Sequence, residues 1–114
     1  KLMKVNQHPS KEAIEILPEL GSISQIVQQI TSSYNETKLH LVINLTDFTS
    51  NLKLKDLLEF LKLSNHYKSN KRSLVVIAPQ INVDQVPEEL AIVPSLHEAF
   101  DLIEMENIER DLGF

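Results

Sequence analysis

Cysteine and tryptophan are both absent from this 114-residue chain. Without cysteine there can be no disulfide, thiolate zinc site, iron–sulfur cluster or cysteine nucleophile. The chain has 2 glycines, too few for a phosphate-cradling loop, and neither a Walker nor a dinucleotide fingerprint occurs. No G-x-S-x-G nucleophile elbow is present. Aromatic residues make up 5%, a poor supply for base-stacking platforms. Apolar runs stop after a handful of residues, whereas a membrane helix needs about 20. No basic segment followed by an apolar one opens the chain, so a cytoplasmic location is expected. The histidines are His8, His40, His66 and His97. None stands two or four residues from another, and no H-x-H-x-D-H or H-E-x-x-H cluster occurs. Neither a histidine metal site nor a cofactor is therefore expected. The acid pair Glu88-Glu89 falls in a turn rich in polar residues, which gives no support to paired-carboxylate catalysis.

What is present suits one soluble domain spanning 1–114. Hydrophobic residues make up 42% and charged residues 24%, and a chain of this length buries about two-thirds of its unfolded surface in a single core. The net charge of −5 is unevenly spread. Asn51 to Arg72 carries the bases Lys53, Lys55, Lys62, Lys68, Lys71 and Arg72 against Asp56 and Glu59, a net +4. Asp84 to Phe114 carries nine acids against Arg110, a net −8. Two solvated helix faces account for this. The dispersed bases, with only His66 and Tyr67 nearby, make a weak nucleic-acid patch, so nucleic acid is not an expected partner.

The hydrophobic pattern predicts the elements. Lys1–Gln7 and Ala13–Leu17 read as a hairpin around the turn His8-Pro9-Ser10-Lys11, with Ile14 and Ile16 alternating with Glu15. Ser22 and Gln25 fit a capping box. They open a helix whose stripe is Ile23, Ile26, Val27, Ile30 and Tyr34. Leu39–Leu45 alternates as a strand. A helix from about Leu52 to about Tyr67 follows, with Leu54, Leu57, Leu58 and Leu61 as its stripe and Phe60 and Leu63 widening it. Leu74-Val75-Val76-Ile77 is continuously apolar, as a strand covered on both faces requires. Ala91-Ile92-Val93 is a last short strand. Ser95 and Glu98 fit a second capping box, ahead of a helix bearing Leu96, Ala99, Phe100 and Ile103. Met105, Ile108 and Leu112 carry that helix toward Gly113. The order is β-β-α-β-α-β-β-α, an α/β fold with a small mixed sheet and an N-terminal hairpin.

The loop Thr46–Asn51 joins the C-terminal end of a strand to the start of a helix, where free N–H groups and the helix dipole favour negative charge. Ser50 or Asn51 is also expected as the cap of that helix.

The element order resembles the STAS domain, the fold of anti-sigma-factor antagonists. The residues that carry the resemblance are Leu39–Leu45, the helix around Asp56–Leu61 and Ser73–Ala78. More specifically, the chain is similar to a family of short proteins from Bacteroidetes. The similarity lies in the tail Ile92–Ala99 and Ile103–Phe114, in Glu59–Asn65 and in Val86–Leu90. Members of that family are often labelled ribonuclease Z. The zinc motif of that enzyme is absent here, so the resemblance implies an association with the enzyme rather than its catalysis. STAS antagonists carry a phosphorylated Asp-Ser-Ser-Gly-like motif that falls here near Leu52-Lys53-Leu54-Lys55, which offers no hydroxyl. Thr49 and Ser50 lie a few residues earlier.

The resemblance implies a non-enzymatic, regulatory protein–protein interaction domain with a protein partner and no membrane. The expected partner surface is Asp47, Thr49, Ser50 and Asn51, with the exposed face of the helix that follows. A second candidate is the acidic terminal helix ending in Arg110 and Phe114. Its tail either meets a partner or packs, with Ile108, Leu112 and Phe114 covering one end of the core. The alternative function is a nuclease or RNA-processing accessory associated with ribonuclease Z.

Overall fold

Three crossovers and a hairpin build one sheet. In a computed structural model, which describes residues 3–48 and 51–113, five strands lie in the order β1-β2-β3-β4-β5. They are β1 (Met3–His8), β2 (Ala13–Pro18), β3 (His40–Asn44), β4 (Leu74–Ile77) and β5 (Ala91–Val93). β1 pairs antiparallel with β2, and the other pairs are parallel, so the sheet is mixed. The parallel steps need crossovers. Helix α1 (Ile23–Tyr34) links β2 to β3, and the segment with α2 (Leu54–Leu57) and α3 (Leu61–Ser69) links β3 to β4. Helix α4 (Leu96–Asp111) follows β5.

The sheet is buried on both sides. Ile14, Ile16, Leu41, Ile43, Leu74 and Val76 face α1, α2 and α3, meeting Ile23, Ile26, Ile30, Leu57, Phe60, Leu63 and Tyr67. On the other side Val42, Val75 and Ile77 meet Ala99 and Ile103 of α4. All of β4 is buried, as its unbroken apolar run predicts.

Local sequence explains most of the element ends. The Ser22 hydroxyl accepts from Gln25 N–H at 3.2 Å, and Gln25 Oε1 accepts from Ser22 N–H at 2.9 Å, a complete capping box. At α4 only half of the predicted box forms, with Ser95 Oγ accepting from Glu98 N–H at 3.3 Å. Gly113 takes φ +83°, the left-handed C′ position that ends a helix at low cost.

The helix expected from about Leu52 to about Tyr67 is not continuous. A 3-10 turn at Leu58–Phe60 separates α2 from α3. Leu57, Phe60 and Leu63 are buried, at a strict spacing of three, and a 3-10 turn stacks side chains three apart on one face. Leu58, predicted in the core stripe, turns outward as a result. The expected cap is also displaced. Asn51 lies outside α2 and Ser50 outside the described residues, while the N-cap position is Lys53. Its N–H donates to Asp56 Oδ2 at 2.9 Å, so an acid reaching back, rather than a hydroxyl reaching forward, satisfies this end.

The C-terminal end of α1 is closed by α3 and the turn after it. Tyr67 Oη donates to the Tyr34 carbonyl at 2.7 Å. The Asn35 carbonyl takes the His66 Nε2 contact at 3.0 Å and an Arg72 Nη2 bond at 3.4 Å. The Arg72 cation complements the negative end of the helix dipole. Arg72 is itself buried, its guanidinium 4.4 Å from the Tyr67 ring centre, which removes it from the basic surface.

Ser22→Ala is expected to cost about 1 kcal/mol, because it frees a helix N–H and breaks a reciprocal pair. Asn51→Ala should leave stability within about 0.5 kcal/mol of wild type. Urea denaturation of both variants checks the pair, and an equal loss from Asn51→Ala would restore it as the cap.

Candidate functional site

The loop after β3 leaves the sheet at the C-terminal edge of the parallel strands, where α/β sheets place their crevices. Asn44 shapes the exit. Its Oδ1 accepts from Thr46 N–H at 3.0 Å and from Thr46 Oγ1 at 2.6 Å, a side-chain-closed turn. Leu45 N–H donates to the Ile77 carbonyl at 2.8 Å, which ties the exit to β4. Phe48 then turns back into the core. The loop is thus anchored by one buried ring, and Asp47 and Asn51 stand exposed on either side of it. A cleft of about 360 Å³ lies between Asp47 and Asn44 on one side and Lys4, Pro18 and Glu19 on the other. A second, of about 350 Å³, lies between Asn51 and Phe48 and the start of α1 at Ser22. Thr49 and Ser50 lie outside the described residues.

Behind this edge runs a polar row on the α4 side of the sheet. Glu15, at the polar position of the alternating β2 pattern, is only 3% exposed. Its carboxylate accepts from Asn44 Nδ2 at 2.8 Å and meets His8 Nε2 at 2.9 Å. The His8 ring stands edge-on to Phe100 of α4, with centres 5.0 Å apart. His8 therefore ends β1 rather than starting the turn, and it joins the hairpin to the helix behind the sheet. Burial alone would raise the Glu15 pKa, but the bonds from Asn44 and His8 outweigh it and hold the carboxyl below its ordinary 4.5.

A second polar cluster occupies the opposite edge. Ser73 N–H donates to His40 Nδ1 at 2.9 Å, so the His40 proton sits on Nε2. Ser73 Oγ donates to a Glu106 carboxylate oxygen and accepts from Arg110 Nη2 at 3.0 Å. Arg110 also donates to Asn107 Oδ1 at 2.6 Å. Arg110, expected as a partner contact, holds the last turns of α4 against the start of β4. Phe114 lies outside the described residues. Burial first, and the Arg110 charge second, hold His40 below its ordinary pKa of 6.5, against the pull of Glu12 and Glu106.

The remaining histidines stand apart from these two. His66 reaches the end of α1, and exposed His97 faces Asp101 at 3.3 Å. Among the described residues no group of three or more His, Asp or Glu side chains is placed to hold a metal ion. No described helix is long and apolar enough to cross a membrane.

The least expected surface is the outer face of α4. Met105, Ile108 and Leu112 are 58%, 52% and 66% exposed, so Ile108 and Leu112 do not cover the core. Their spacing of three and four makes one stripe. It lies opposite the face that buries Ala99 and Ile103. Exposed Glu98, Asp101 and Glu109 lie alongside it. The signal was present in the sequence: the apolar positions of this helix form two stripes on opposite sides, and one sheet can cover only one of them. No protein-family model matches this chain, and no curated protein matches it.

Stability should fall with acid in two windows. Folded His40 binds fewer protons than the unfolded chain, so stability declines as pH drops through 6.5. The Glu15 contribution is present above 4.5 and is lost as pH falls below that value, through the folded pKa. Chemical denaturation between about pH 8 and about pH 3 reads both windows. His40→Asn should flatten the upper one and Glu15→Gln the lower. Profiles parallel to wild type would remove these residues from the acid response.

Proposed function

We propose that this chain is a non-enzymatic, regulatory protein–protein interaction domain of STAS-like fold, working in the cytoplasm through a protein partner. The observation that carries this reading is the exposed apolar stripe of α4, set among acids on a helix whose other face is core. Large apolar side chains grouped on one exposed face mark contact surfaces far more often than single ones do. Burying the exposed half of each would contribute about 1 kcal/mol, enough together to anchor a contact. A mixed sheet edged by an N-terminal hairpin and backed by helices supports the STAS-like reading of the fold. The crevice beside Asp47 and Asn51 is a second place a partner could touch. The RNA-processing alternative draws less support, because Arg72 is internal and Lys68 Nζ donates to the Glu89 carbonyl at 2.7 Å.

The test is a photoreactive phenylalanine analogue in place of Met105, irradiated in the cells that make the protein. A discrete covalent adduct with protein is expected, and Leu112→Glu in the same chain should remove most of it. Absence of any adduct, or an adduct indifferent to Leu112→Glu, overturns the stripe as a docking surface.

A further inference from the structure

We propose that the outer face of α4 receives a basic amphipathic helix of another protein, one whose apolar seam is flanked by lysine or arginine. The proposal rests on the reading of the α4 stripe as a docking surface and gives the chemistry of what docks there. Spacing points to a helix. Met105, Ile108 and Leu112 stand at i, i+3 and i+7, the a, d and a positions of a heptad, and all three are exposed. A seam of that spacing is what one helix offers another, because each side chain enters a hole between four residues of the facing helix. A strand, with its period of two, matches no such seam. The opposite side of α4 is already filled by the sheet, through Ala99 and Ile103.

Charge points to a basic partner. In the same heptad Glu104 and Asp111 fall at g positions and Glu109 at an e position, all exposed, so carboxylates border the seam on both sides. Asp101, at the d position before Met105, adds an acid in line with it. Among the described residues, the ion pairs within α4 are His97 to Asp101 at 3.3 Å and Arg110 to Glu106 at 4.0 Å. Arg110 is turned inward onto Ser73 and Asn107. Lys11 lines the same cleft as Glu104 but stands over the Phe100 ring, 5.7 Å from its centre. Glu104, Glu109 and Asp111 enter none of these pairs. Charges at e and g positions choose the partner of a helix, and here they are of one sign. Bases opposite them attract, whereas a second α4 laid on the stripe would set carboxylate against carboxylate. The same acids repel a nucleic-acid backbone and an anionic membrane surface. A seam of three side chains is a small interface, which places its affinity in the weak range.

Two synthetic helical peptides, read by fluorescence anisotropy against the full chain, test the inference. Both carry leucine at a and d over about three heptads; one has lysine at every e and g position, the other glutamate. The lysine peptide should bind saturably and the glutamate peptide about tenfold more weakly, with added salt narrowing the gap. Glu104→Lys and Glu109→Lys in one chain should reverse the preference. Ile108→Glu should abolish binding of the lysine peptide although it adds a negative charge, which separates docking on the seam from attraction to acidity alone. These variants change only exposed positions, and circular dichroism checks that each stays folded. Equal affinity for the two peptides, no binding of the lysine peptide, or binding that survives Ile108→Glu overturns the proposal. The photo-adduct at position 105 separates it from the reading beneath it. The cross-linked segment, sequenced by mass spectrometry, should come from another protein and carry lysine or arginine beside apolar residues. A segment without such bases, or an adduct of twice the chain mass, overturns the basic partner and keeps the stripe as a docking surface, whereas no adduct removes both.

Discussion

Parallel pairing of β2, β3, β4 and β5 is the constraint on which the rest depends. Parallel strands cannot be joined by tight turns, so each step demands a long connection that returns over one face. Here both helical crossovers return over the same face and leave the other bare. Val42, Val75 and Ile77 on that bare face are fully buried in the structure. Among the described residues, α4 is the helix that covers them. The last helix is therefore not an appendage: without it the central strands would present one apolar face to water.

That duty shapes what α4 can carry. Its inward stripe is spent on the sheet, and its C-terminal half is held by Ser73, Glu106, Asn107 and Arg110. The sheet under it is not wholly apolar, since Glu15, His8 and Asn44 form a hydrogen-bonded row there. A buried carboxylate is tolerable only when its oxygens are satisfied, and here two side chains satisfy them. The histidines at the two ends of the face, His8 and His40, thus serve as structural partners of Glu15 and Ser73. With its inner face committed in this way, the helix leaves its outer side exposed. That side carries Met105, Ile108 and Leu112.

The loop after β3 shows the same division. Its place at the C-terminal edge of the sheet follows from a strand that ends at Asn44 and a helix that starts beyond it. Its anchoring by Phe48 does not follow, because a single aromatic in a polar loop carries no period that says which way it turns. Similarly, the bases from Lys53 to Arg72 read as one charged stretch, yet Arg72 is buried over Tyr67 at the end of α1. The bond from Arg72 to the Asn35 carbonyl joins residues 37 positions apart, and local pattern is blind to it.

The sequence by itself determined the elements: the period-2 and period-3.6 apolar patterns, the Ser22 box and the unbroken run in β4 are local properties of the chain. It also determined that α4 has two apolar sides. Only the tertiary structure decided which side is core, because that depends on the single sheet face left for this helix to cover. Tertiary packing likewise decided that the α2–α3 segment breaks into a 3-10 turn, since burying Leu57, Phe60 and Leu63 together outweighs the preference for a straight helix. It made Glu15 an internal group and Arg110 an anchor, because a hydrogen-bond partner on a distant strand or helix exists only after the chain has folded.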